Sequence, residues 1–137
     1  MSTNRLVGAV FGIVYLLVGL AGFFVTTNVA FVATAGEPLI IFEVNPLHNI
    51  VHLLVGAALL VGSRTVRSAK VVNSTVGGVY LLVGIVGLFL IGSAANILAL
   101  NGADNVLHFA SAILLLGVGL AADRSPAPAH VAPTWTP

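Results

Sequence analysis

Residues 10–25 read VFGIVYLLVGLAGFFV, and residues 75–90 read TVGGVYLLVGIVGLFL. Placed side by side without gaps, the two are identical at nine of sixteen positions. Leu and Val identities come cheaply in apolar segments. The identities of Gly12 with Gly77, Tyr15 with Tyr80, Gly19 with Gly84 and Gly22 with Gly87 do not. Neither stretch carries a charge, and each belongs to a longer apolar run, residues 6–25 and 71–91. About 20 apolar residues are what a helix needs to cross a bilayer. The pair reads as one transmembrane helix duplicated.

Two further apolar runs, residues 47–62 and 103–122, follow the duplicated ones. The first reaches spanning length if its helix starts near Asn45, which brings His48, Asn49 and His52 into the span. The second likewise takes in Asp104, Asn105 and His108. Residues 45–52, NPLHNIVH, align with residues 101–108, NGADNVLH, so Asn45, Asn49 and His52 recur as Asn101, Asn105 and His108. The first half differs by a connecting loop nine residues longer, the pairing offset being 65 for one helix and 56 for the other. The expected fold is all-α and membrane-embedded: a four-transmembrane-helix bundle made of two tandem, parallel-repeat helix hairpins. Residues 1–70 form the first hairpin, 71–122 the second, and 123–137 a disordered Pro- and Ala-rich tail that includes Trp135. A repeat of two spans keeps its orientation, which relates the halves by a pseudo-two-fold axis along the membrane normal.

Composition agrees. Only 7% of the 137 residues are charged and 58% are hydrophobic, against about 25% charged in soluble domains. Such a chain cannot cover its surface with charge, so the lipid bilayer is its principal partner. A net charge of +1 excludes nucleic acid as an expected partner. With no Cys there is neither a disulfide nor a thiolate metal site. The first run exceeds the 7–15 residues of a signal-peptide core and is paired with an internal helix, so it reads as a span. Gly8 with Gly12, and Gly19 with Gly22, form small-residue faces that suit helix packing inside the chain, a homo-oligomer or a membrane-protein partner.

The polar residues form two stripes. Asn45, His48, Asn49 and His52 are spaced i, i+3, i+4, i+7, as are Asn101, Asp104, Asn105 and His108, which puts each set on one helix face. Asn45 before Pro46 fits a helix cap, and Asn101 fits the same role, with Asp104 near the positive end of the helix dipole. Asn49, His52, Asn105 and His108 lie deeper and should face the bundle interior. One reading is structural: these groups hydrogen-bond across helices. A second is haem b, with His52 and His108 as axial ligands from facing helices. A third is a polar pocket, open at the outer side, for a small ligand, ion or proton at His48, His52, Asp104 and His108. Zinc at His48, His52, His108 and Asp104 fits by ligand type, but Asp104 in place of a second His48 breaks the symmetry, and no metal site is expected. Tyr15 and Tyr80 read as packing residues whose side chains lean away from the imidazoles. No nucleophile elbow, phosphate loop, dinucleotide fingerprint or metalloprotease motif is present, and no enzymatic activity or resident cofactor is expected. The chain reads as a packing or accessory subunit of a membrane assembly, with haem or ligand binding as the alternative.

The segments NPLHNIVHLLVG (residues 45–56) and DNVLHFASA (104–112), with the repeated VYLLVG, resemble a bacterial family of small four-helix membrane proteins known only as a domain of unknown function. The resemblance spans residues 5–122. It implies four spans and a bacterial plasma (inner) membrane, and brings no activity, cofactor or catalytic residue with it.

Orientation follows from the cations. Arg5, Arg64, Arg67, Lys70 and Arg124 all fall on one side of a four-span topology, and Glu37, Glu43 and Asp104 on the other. Positive loops stay cytoplasmic, so both termini are expected inside and residues 26–44 outside. Reporter fusions check this: a C-terminal fusion should be active only in the cytoplasm, and one inserted at residues 36–38 only outside. The reverse pattern refutes the orientation.

Overall fold

The computed structural model describes residues 1–124. It is mostly helical, with α1 (Thr3–Val25), α2 (Pro46–Gly62), α3 (Val66–Leu90) and α4 (Gly102–Ala121). α1, α3 and α4 are long and apolar enough to cross a membrane, and α2 is a shorter apolar helix of 17 residues. The tail expected from residue 123 lies outside the described residues beyond Arg124.

Each helix starts at a residue whose side chain accepts a backbone N–H that the first turn leaves without a partner. Ser2 serves α1, Asn45 serves α2 with Pro46 at the first helical position, and Thr65 serves α3. Asn101 serves α4 in a reciprocal capping box with Asp104. α3 begins at Val66, earlier than the apolar run at 71, so Arg67 and Lys70 stand on its first turns. The boundary expected at residue 70 therefore falls inside α3, and the chain turns at residues 63–65.

Residues 26–44 are not a plain loop. β1 (Glu37–Leu39) and β2 (Phe42–Val44) pair antiparallel, Leu39 opposite Phe42, around Ile40 and Ile41. Ile40 has φ 67°, a conformation that a β-branched residue enters only under constraint. No Asn-Gly or Asp-Gly marks this turn, so the sequence carried no hairpin cue.

α1 packs chiefly on α2, and α3 on α4. Both contacts close over glycine. A Cβ on Gly12 would lie 2.9 Å from the Gly56 carbonyl oxygen and 2.9 Å from the Leu60 nitrogen, and one on Gly77 would lie 2.7 Å from the Leu116 nitrogen. Farther along, Gly22 faces the Asn49 side chain and Gly87 faces that of Asn105. Leu60 and Leu116, like Asn49 and Asn105, are 56 residues apart, the offset of the sequence repeat. Close backbone approach is the main attraction between helices where the surroundings are as apolar as the side chains. Across the middle α1 touches α3, whereas the α2 and α4 backbones barely meet.

The buried side chains are inverted relative to a soluble core. Among the described residues twelve buried ones are polar or charged and ten are hydrophobic, while Leu, Ile, Val and Phe dominate the exposed face. At the end bearing the termini, the buried Asn4 is held by α4 and α3. Its backbone and side-chain N–H groups donate to the Asp123 carboxylate at 2.8 and 3.0 Å. The Asn73 amide donates to the Asn4 carbonyl at 3.0 Å, and Lys70 Nζ to the Ala122 carbonyl at 2.9 Å. This clamp ties the start of the chain to the end of α4.

Gly12→Ala should destabilise by about 1–3 kcal/mol, because the new methyl meets backbone that cannot move aside. Gly78→Ala, where a Cβ meets nothing within 4 Å, should be neutral or stabilise by up to about 1 kcal/mol. Thermal melts in detergent separate the two, and equal melts would contradict the close approach. The hydrogen bonds from the Asn4 backbone, and then from its side chain, hold the Asp123 carboxyl below its ordinary value. A lowered folded pKa stabilises above the unfolded value and loses that contribution as pH falls through the folded one. Asp123→Asn should therefore melt below the wild type near pH 6, with the gap closing toward pH 3. A gap independent of pH would show that the charge contributes nothing.

Candidate functional site

The Asn45 cap fixes where α2 begins. Its side-chain oxygen accepts the His48 N–H at 2.8 Å, and its amide donates to the carbonyls of Ala33 and Ile97, both at 2.8 Å. α2 is thereby tied to both long connections, with His48 in its first turn. One turn on, at i+4, His52 projects from the same face, and the two rings lie 4.4 Å apart. His108 of α4 enters from across the bundle with its ring 6.3 Å from that of His48. One imidazole nitrogen from each of His48, His52 and His108 lies within 4.8 Å of the other two. The three residues are 2, 4 and 4% exposed, and none of their Nδ1 atoms has a hydrogen-bond partner among the described residues.

The rest of the two stripes has other work. Asp104 Oδ2 accepts the Asn101 N–H at 2.9 Å and the Glu43 N–H at 3.3 Å, so it closes the α4 cap and pins β2 to α4. Asn101 donates to the Ile41 carbonyl at 3.0 Å. Asn49 crosses to α1, donating to Thr26 Oγ1 at 3.0 Å, but its own oxygen has no partner. Neither polar atom of the Asn105 side chain has one. The hydrogen bonding across helices expected of the stripe is thus present at Asn49 and missing at the imidazoles.

The pocket expected to open at the loop end is closed there. Val44, Asn45, Asn96, Ala99 and Leu100, from the two long connections and the cap of α2, are all buried at that end. Asn96 knots this lid, accepting the Leu100 N–H at 2.9 Å and donating to the Thr34 carbonyl at 3.3 Å. The open space is lateral. A cavity of about 240 Å³ lies between α1 and α4, which make the loosest of the contacts between neighbouring helices. Phe11, Tyr15, Phe42, His52, Asp104 and Ser111 line it, and its rim includes Val10, Val14 and Leu114, each about half exposed on the outer face.

The tyrosines do not lean away from the imidazoles. Tyr15 packs on His52 at 5.3 Å, Tyr80 on His108 at 5.1 Å, and the two tyrosines on each other at 5.3 Å. The lean of a helical side chain is only a few ångströms, and the register set by Gly12 on Gly56 leaves each ring beside its imidazole. Tyr15 Oη and Ser111 Oγ share a hydrogen bond of 2.8 Å. Ser111, Asn96, Asn4 and Asn73 were not singled out from the sequence. Carrying the repeat three residues past His108 would have exposed Ser111, because its counterpart is Val55.

The chain belongs to the family described as Domain of unknown function (DUF4383), whose model matches residues 5–121. No curated protein matches the chain, and neither does any solved structure.

Proposed function

With the family fixed and its function open, we propose that this is a four-span protein of a bacterial inner membrane, built as a tandem duplication, that binds one divalent transition-metal ion through His48, His52 and His108. The observation that carries the proposal is the convergence of three buried imidazoles from two helices with nitrogens within 4.8 Å of one another. A tetrahedral ion with bonds of about 2.0–2.1 Å needs ligand nitrogens about 3.4 Å apart. Small ring rotations close that difference. Neutral imidazoles suit zinc and its neighbours in the first transition row. Burial without a partner is costly for a polar atom, and each of the three rings keeps a buried Nδ1 with none.

The same geometry weighs against the alternatives. A haem held by His52 and His108 needs a flat macrocycle between them, and a His48 nitrogen stands within 4.8 Å of both. A purely structural role would not leave three buried Nδ1 atoms without partners. Three protein ligands leave a fourth position open, the pattern of sites that take an external ligand. The four-span reading is supported by α2: its 17 residues rise about 26 Å, close to the roughly 30 Å hydrocarbon core, and the folded connections cap its start. The clustering of the five cations at the other end supports cytoplasmic termini.

Detergent-purified protein, stripped with a chelator and titrated with zinc, should bind about one ion per chain. Saturation at 100 times Kd should stabilise it by about 2.7 kcal/mol. The metal-free His52→Leu and His108→Leu variants should stay folded, because each removes an unpartnered polar group, and should lose the zinc-dependent gain in melting temperature. Cobalt in place of zinc should give visible absorption of a tetrahedral site. A wild type that binds no more zinc than the two variants overturns the proposal, as does a Soret band in the protein as purified.

A further inference from the structure

The lateral cavity is not needed to hold a metal ion, and its chemistry differs from that of the imidazole cluster. Its surface is almost wholly apolar, and the residues that line it include Tyr15, His52, Ser111 and Asp104. We propose that it binds the head group of a membrane-dissolved quinone, admitted from the bilayer between α1 and α4.

Four properties select this occupant. The mouth is lateral, because the lid over the loop end is buried and the rim residues Val10, Val14 and Leu114 are exposed on the apolar outer face. The lining holds no cation: the five basic residues sit at the opposite end of the bundle, and the charged group in the lining is Asp104. A phosphate-bearing head would find no counter-charge there, so the head is uncharged. Phe11, Tyr15, Phe42 and His52 present four rings to the space, which suits a flat ring better than a flexible chain. The volume of about 240 Å³ is below the roughly 300–1,000 Å³ of pockets that enclose whole ligands. It takes a head and leaves the tail outside. A shallow apolar depression sharing Phe42, Leu107 and Ala110 continues over Ile41 and Val106 and offers the tail a bed.

A quinone oxygen needs a single donor, and the lining residues hold candidates for it. In the Tyr15–Ser111 pair one hydroxyl proton lies in the mutual bond, which leaves the other free to donate. His52 can donate one ring N–H, and a metal on its other nitrogen would fix that tautomer. The repeat adds an independent sign. Ser111 replaces the counterpart of Val55, and Asp104 that of His48. Both departures put an oxygen-bearing side chain among the residues that line the cavity. The second tyrosine, Tyr80, has no hydroxyl partner in the described residues.

The test uses decylubiquinone and the full chain in detergent. Binding should be saturable at about one per chain. Val14→Trp, which plugs the mouth from an exposed position, should weaken it at least tenfold. Ser111→Val, which copies the other half, should weaken it several-fold. Val79→Trp, the equivalent exposed position on α3, should leave it unchanged. Zinc binding by Val14→Trp should equal that of the wild type, so a failed metal site and a failed quinone site give different patterns. Non-saturable partition, equal loss in Val14→Trp and Val79→Trp, or complete displacement by equimolar dodecanol would each overturn the proposal.

Discussion

Polar side chains buried in a chain with an apolar exterior must find their partners inside it, and the rest of the structure follows from that constraint. In a soluble protein a stranded amide can turn to water. Here the outer surface of Leu, Ile, Val and Phe offers nothing, so the buried Asn residues other than Asn105 are spent on joining elements. Asn45 and Asn96 bind the two long connections into a lid. Asn49 reaches Thr26, and Asn73 holds Asn4. These bonds cost little in ordering because glycine has already brought the helices together, and they work at short range only because it has. Packing and polarity are thus two parts of one solution.

The sequence showed the elements whose cues are periodic or local. Four helices, the caps of α2 and α4 and the two polar stripes are written in spacings of three and four residues, and Asn45 before Pro46 marks its own helix start. What it did not show depends on residues distant in the chain. Asn4 and Asp123 are 119 positions apart, and each looks like ordinary flanking sequence. Asn73 is a polar residue inside an apolar run, a cue that was available but has no periodic companion. The hairpin at 37–44 turns through Ile40, against every local preference for that conformation. The contact between Tyr15 and His52 was hidden because side-chain lean was weighed without the helix register, which the glycines set.

Residues that are equivalent in sequence are not equivalent in use. His52 and His108 both point inward, yet the cluster they enter has three members, because the position matching His48 holds Asp104. That carboxylate is turned to the cap and the hairpin instead. The exchange connects with the nine extra residues of the first half. They carry the hairpin, the hairpin needs an anchor on α4, and Asp104 accepts its Glu43 N–H.

The hairpin then roofs the space beside His52 with Phe42 and Val44. A symmetric bundle of this kind would place two like clefts on its two sides, each ending at a tyrosine and a histidine. In this one, the cleft between α1 and α4 gains a roof, a serine hydroxyl and a carboxylate. On the other side Tyr80 faces the interior with its hydroxyl unpartnered. A burial cost without a partner persists when other contacts hold the group in place, and the Tyr15 and His108 rings do so for Tyr80. The uneven distribution of polar atoms therefore makes the two sides of the bundle unlike: α2 and α4 supply the imidazoles, and the loose α1–α4 contact leaves the opening beside them.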